Sequence, residues 1–152
     1  MVVCIDTQIV IWGVREEATP TQKDMIPKAK ELFEYFGRQK IQVAFPSIVV
    51  GESLVRVPVP EHPNVLNKFS QFIILPYDTL SAMWFARIWQ QLKDQEEITR
   101  LQTTGLSRVE LKADLMIIAT AVAHGAKVLY SGDHKLLKLA TNFIEIQVFS
   151  HA

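Results

Sequence analysis

A single cysteine, Cys4, stands in a chain of 152 residues. That excludes an internal disulfide and agrees with a reducing, cytoplasmic setting. No apolar run approaches the ~20 residues needed to cross a bilayer. No basic region precedes the first apolar stretch, so neither a membrane span nor a signal peptide is expected. Net charge is missing too, since 16 Lys and Arg balance 16 Asp and Glu. A neutral chain has no global attraction for a polyanion, so a nucleic-acid partner would have to be held by local charge or by metal. The four histidines, His62, His124, His134 and His151, show no paired ligand spacing, and Cys4 lies alone in an apolar segment; zinc is therefore not expected. Repeats, low-complexity tracts and linkers are also absent, so one domain over residues 1–152 is expected.

What the chain does have is an alternation of short β-rich runs with longer helical ones. Strands are expected at 2–6, 41–45, 72–76, 127–131 and 144–149. Each is a short run rich in Val, Ile, Leu and Phe without polar alternation, as in strands buried on both faces. Helices are expected at 22–38, ending near Gly37, at 47–56, 61–71, 79–102 and 112–124, with a short one at 134–140. Asp78 or Thr79 is a candidate N-cap, and Gly125 a candidate C-cap. Such alternation argues for an α/β fold with a mainly parallel central sheet covered on both faces. In helix 79–102, Leu80, Trp84, Phe85, Ile88, Trp89 and Leu92 cover about half the circumference. Two readings follow: a helix buried deeply in its own domain, or a protein–protein face around Phe85 and Trp89, with a homodimer or a partner peptide as occupant.

Four carboxylates each close or follow an apolar segment: Asp6, Glu52, Asp114 and Asp133. Open parallel sheets gather ligands beyond the carboxyl ends of their strands. Asp6 and Asp133 follow strands directly, Glu52 lies on the helix after the second strand, and Asp114 opens the helix leading into the fourth. The topology permits all four to meet. At about 7 Å apart, and an effective dielectric of roughly 20, each like-charge pair would cost about 2 kcal/mol. Six pairs would cost on the order of 10 kcal/mol, rivalling a whole domain's stability. Such a cluster must take up protons or bind cations, and oxygen-only ligands suit Mg²⁺ or Mn²⁺. A carboxylate-held divalent ion suits phosphodiester hydrolysis, because it binds a phosphate oxygen and lowers the pKa of bound water.

Each acid also has a plainer explanation. Asp6 could cap the helix after the first strand, Asp114 could interact with a helix macrodipole from the first turn, and Asp133 could be a turn residue after Gly132. Glu52 fits surface life least, because an acid among Ile48, Val49, Val50, Leu54 and Val55 is costly to bury alone. Glu110 reads as a capping-box partner of Ser107. Lys112, Lys135 and Lys138, with Arg56 and Arg108, stand in or beside these segments. Phosphate contact is the sharper reading, carried furthest by Lys112 and Lys135, although each singly reads more readily as solvated surface.

The segments Val3-Cys4-Ile5-Asp6-Thr7, Gly51-Glu52, Lys112-Ala113-Asp114-Leu115-Met116-Ile117-Ile118-Ala119-Thr120-Ala121 and Val128-Leu129-Tyr130-Ser131-Gly132-Asp133 together resemble a PIN domain. Their order and spacing are similar to those of the VapC-type ribonucleases of toxin–antitoxin pairs. The resemblance spans nearly the whole chain and is most specific over 112–140. It implies a three-layer α/β/α fold, Mg²⁺ or Mn²⁺ as cofactor, and endonucleolytic cleavage of RNA. It carries Asp6, Glu52, Asp114 and Asp133 over as catalytic metal ligands, with Thr7 and Ser131 as supporting hydroxyls. RNA is the implied substrate; a homodimer is the assembly expected from the apolar face of helix 79–102, and an antitoxin protein is a candidate partner that the sequence itself does not display. Gln8 departs from the pattern, standing where relatives often carry a small hydroxyl residue. Phosphoryl transfer through an aspartyl phosphate is a weaker alternative, because Gln8 occupies the place of the second Asp that such phosphatases need. The non-enzymatic alternative is a catalytically silent PIN-like scaffold that binds RNA or protein.

Overall fold

The computed structural model describes residues 1–93 and 108–149. Five strands form one sheet: β1 (Val2–Ile5), β2 (Gln42–Pro46), β3 (Ile73–Leu75), β4 (Val128–Ser131) and β5 (Glu145–Val148). Every pairing among them is parallel, in the order β3-β2-β1-β4-β5. The expected strands are all present, within one or two residues at either end. The chain lays β2 and β3 to one side of β1 and then β4 and β5 to the other. The strand order therefore reverses at β1 and β4, and a crevice opens beyond their carboxyl ends.

Alternation along the strands feeds two cores. Val3 and Ile5 join Ile9, Val10, Phe36, Phe45 and Phe69 on one face. Cys4 and Leu129 join Ile88, Leu111, Leu115, Ile118 and Leu136 on the other. Helices cover both faces, which makes the three-layer α/β/α sandwich. They are α1 (Thr7–Gly13), α2 (Met25–Arg38), α3 (Ser47–Leu54), α4 (His62–Lys68), α5 (Thr79–Leu92), α6 (Arg108–Ala123) and α7 (His134–Ala140). No helix among the described residues is long and apolar enough to cross a membrane.

Several expectations need correction. The outer strands are not buried on both faces: Ile73 and Ile74 of β3, and Glu145, Gln147 and Val148 of β5, are exposed, because each outer strand has a neighbour on one side only. Helix α2 starts at Met25, after a 3₁₀ turn at Pro20–Gln22. It also runs through Gly37, and the left-handed residue beyond its end is Lys40, at φ 54°. Gly125 does take the left-handed conformation, at φ 73°, beyond the end of α6. Asp78 caps α5, accepting the Ser81 N–H at 2.9 Å. Residues 94–102 of the expected 79–102 helix lie outside the described residues. On α5, Ile88 and Leu92 are buried, and Trp84, Phe85 and Trp89 pack half-buried against the same core. Those aromatics stand between the two readings, half in the chain's own core, and the large apolar side chains exposed on α5 are Leu80 and Met83.

One glycine sets how closely two helices approach. A Cβ on Gly13, at the end of α1, would lie 2.3 Å from the Phe33 ring of α2. Only hydrogen fits there, and it allows α2 to lie directly against α1.

Candidate metal and active site

Asp6 directly follows β1 and is 5% exposed. It caps α1, its Oδ1 accepting the Ile9 N–H at 3.3 Å. Its Oδ2 accepts a short hydrogen bond from the hydroxyl of Ser131, the last residue of β4. The Ser131 hydroxyl in turn accepts the Asp133 N–H at 2.9 Å. Asp133 caps α7, its Oδ1 accepting the Lys135 N–H at 2.9 Å and the Leu136 N–H at 3.4 Å. Capping and membership of the site are therefore not rivals. The backbone N–H groups fix each carboxylate at the head of its helix, and the strand ends bring those heads together.

Glu52 reverses an expectation. It lies on the exposed side of α3 while Val49 and Ser53 take the buried side, so the cost of burying it alone does not arise. Instead the Thr7 hydroxyl donates to Glu52 Oε1 at 2.8 Å, tying α3 to the first residue of α1. Asp114 also departs from expectation. Helix α6 begins at Arg108, with Glu110 as the acid of its first turn. Asp114 therefore lies in the second turn, where the macrodipole does little. The Ser107 side of the capping box lies outside the described residues.

The four acids line a single cleft of about 390 Å³ at the switch point. Thr7, Gln8 and Gln22 add polar walls, and Trp12, Ile117 and Leu136 apolar ones. Burial pushes the Asp6 carboxyl up to about 6; its bonds from Ser131 and Ile9 oppose the shift, and the charges of Asp133 and Glu52 add to it. Burial also pushes Asp114 up to about 7, reinforced by the charges of Asp133, Glu52 and Asp6 and then Glu110. As pH falls through about 7 and 6, proton uptake by these two more buried carboxyls relieves the repulsion expected of converging acids. The same crowding makes the cleft attractive to cations.

The oxygen-only donor set fits a hard divalent ion. The cleft is nevertheless open: no three Asp, Glu, His or Cys side chains among the described residues are disposed to hold one ion as they stand. Lys112 and Lys135 are both exposed and do not line the cleft. The side chain of Arg108 lies outside the described residues. Two histidines have other partners: His124 Nε2 lies 3.0 Å from the Pro76 carbonyl, and His62 Nε2 lies 2.8 Å from that of Val57. Sequence reasoning missed Trp12 and Gln22. Gln22 reaches the cleft from the 3₁₀ turn before α2, and no periodicity marks it.

No protein-family model matches the chain, and no curated protein matches it. Solved structures do. One, a VapBC2 complex from Rickettsia felis bound to a DNA fragment from its promoter, contains a chain 17% identical with a TM-score of 0.64; the match covers 99% of this chain and 100% of that one. A DNA-bound VapBC from Salmonella typhimurium is 17% identical with a TM-score of 0.62, covering 97% and 98%. VapBC-5 from Mycobacterium tuberculosis, a member of the VapBC family of toxin–antitoxin systems, is 16% identical with a TM-score of 0.51, covering 97% of each chain. These likenesses are of fold, and they extend end to end: the chain has the PIN-like three-layer architecture.

Proposed function

We propose that the protein is a divalent-metal-dependent endoribonuclease, the toxin of a toxin–antitoxin pair, hydrolysing RNA phosphodiester bonds by in-line attack of an activated water. The observation that carries this reading is the convergence of Asp6, Glu52, Asp114 and Asp133 on one cleft at the switch point of a parallel sheet. The end-to-end likeness of fold to chains of VapBC complexes supports it. By that likeness an antitoxin protein is the partner, and the setting is the cytoplasm. A homodimer is part of the same reading, with exposed Leu80 and Met83 of α5 as its apolar contact.

Asp6, Glu52, Asp114 and Asp133 would hold Mg²⁺ or Mn²⁺, which supplies a lowered water pKa and a counter-charge for the phosphate oxygens. The chain's own contribution is to place and poise the carboxylates. Ser131 orients Asp6, Thr7 orients Glu52, and the N–H groups at the head of α7 orient Asp133. Asp114 has no helix terminus to hold its charge, and burial raises its carboxyl to about 7 in the metal-free cleft, so binding the ion would displace its proton.

The purified protein is expected to cleave single-stranded RNA with Mn²⁺, and Asp6→Asn to lower the rate by more than about 100-fold. An Asp6→Asn or Asp133→Asn protein cleaving at the wild-type rate would sink the reading. That no three ligands among the described residues are already disposed around one ion favours one second reading, a silent PIN-like scaffold that binds RNA or protein. Calorimetry separates the two: failure to bind Mn²⁺ at millimolar concentration selects the scaffold.

A further inference from the structure

Four carboxylates can gather a cation, but they repel the polyanion on which that cation would act. No Lys, Arg or His among the described residues lines the acidic cleft. Directly beside it lies a second cleft of about 620 Å³. Gln8, Gln22 and Glu52 line both, so the two form one continuous trough. The second cleft runs between the end of α1, with the loop beyond it, and the end of α3.

Two arginines line this second cleft, and the structure gives them different work. Arg15 is built into the wall: its Nη1 donates to the Ser53 carbonyl at 2.8 Å and its Nη2 meets Glu17 Oε2 at 2.5 Å. Its side chain is 10% exposed and its charge is matched by Glu17. Arg56 is exposed and, among the described residues, forms no ion pair. It therefore presents an unpaired guanidinium to a trough whose other charged lining groups are Glu52 and the matched Arg15–Glu17 pair. Its neighbour Val55 is 79% exposed on the same wall, and Ile11 lies on the opposite one. Cation, apolar walls and amides in sequence match what an unpaired strand offers: phosphates, base faces and base edges.

We propose that the second cleft is the track for the single-stranded RNA segment flanking the scissile phosphate. Arg56 takes a neighbouring phosphate, Val55 and Ile11 lie against bases, and Gln8 and Gln22 contact the strand where the two clefts join. The inference rests on the nuclease reading and adds to it where the substrate lies. It also gives a use to Gln8, the residue that departs from the PIN pattern, because Gln8 stands at that junction.

The test reads binding apart from cleavage. Anisotropy of a labelled single-stranded oligoribonucleotide is followed with Ca²⁺ in place of Mn²⁺, and cleavage is followed separately with Mn²⁺. Arg56→Ala is expected to weaken binding by about 5- to 10-fold and to lower the slope of log affinity against log salt by about 0.7. With Mn²⁺, KM should rise while kcat holds. Lys127→Ala is the control: Lys127 donates its N–H to the Val2 carbonyl, at the amino end of the sheet, and should leave the slope unchanged. Arg56 has no structural partner among the described residues, so its variants should keep the wild-type melting temperature. If the wild type binds and cleaves while Arg56→Glu binds equally well, the track is wrong and the nuclease reading stands. If the wild type neither binds nor cleaves, the nuclease reading falls and the track with it. Loss of a bound protein partner in Arg56→Glu with RNA binding intact would make the trough a protein-docking surface and overturn the proposal. Equal, Arg56-dependent affinity for single-stranded DNA would overturn its restriction to RNA.

Discussion

Asp6 and Asp114 carry the physical tension of the site, because both are carboxyls placed where ionisation is costly. Their folded-state values, about 6 and about 7, lie above those of an unfolded chain. The stability they contribute is therefore fully present below about pH 4 and is lost as pH rises through about 6 and 7. In the metal-free protein, Asp114→Asn is expected to raise stability at pH 8 by on the order of 2–4 kcal/mol and to change little at pH 4. Urea unfolding at the two pH values in chelator checks this; a gain of equal size at both would refute it. Ser131→Ala works in the opposite sense. It removes the bond that lowers the Asp6 value and leaves the Asp133 N–H without its acceptor. A loss of about 1–3 kcal/mol is expected, together with an alkaline shift in the pH–rate profile under Mn²⁺. Thr7→Val should leave the acid limb of that profile in place, because Thr7 holds the exposed Glu52 rather than Asp6.

Elements are held in place by a few tight approaches. Gly13→Ala would drive a methyl into the Phe33 ring, costing about 1–3 kcal/mol. Because α1 carries Asp6 and Thr7 at its other end, cleavage should fall along with the denaturation midpoint. Lys40→Gly relieves a left-handed backbone at φ 54° and is expected to stabilise by about 1 kcal/mol, measurable by the same unfolding curves. The strands were legible because five short apolar runs without polar alternation have few other uses. Helix starts were less so. The apolar stretch from Leu115 onward suggested a helix opening near Asp114, yet α6 already runs from Arg108 and Leu111 packs into the core ahead of Asp114. Exposure within a helix was the other gap. Glu52 stood among apolar residues in sequence, yet one helical face buries Val49 and Ser53 and leaves Glu52 outside. The acids could be picked out by their positions after strands, whereas Trp12, Gln22 and the second cleft arise only when α1, α3 and the loop after α1 come together.

At the scale of the molecule, metal binding, protonation and folding are one linked equilibrium. Mn²⁺ competes with the protons on Asp6 and Asp114, so its affinity should rise as pH passes through about 6 to 7. The increase in melting temperature on adding Mn²⁺ is expected to be larger at pH 8 than at pH 5.5; an increase independent of pH would exclude these two carboxyls as ligands. The strand order has a further consequence, in time rather than in space. β1 is made before the other four strands yet lies at the centre of the sheet, and Asp6 waits 125 residues for the hydroxyl of Ser131. Asp133, the last of the four acids, follows two residues later. Because such distant contacts close late, an unfinished chain holds three scattered acids and no cleft. On the proposed reading, the nuclease therefore cannot act on RNA during its own synthesis until β4 and Asp133 have been made.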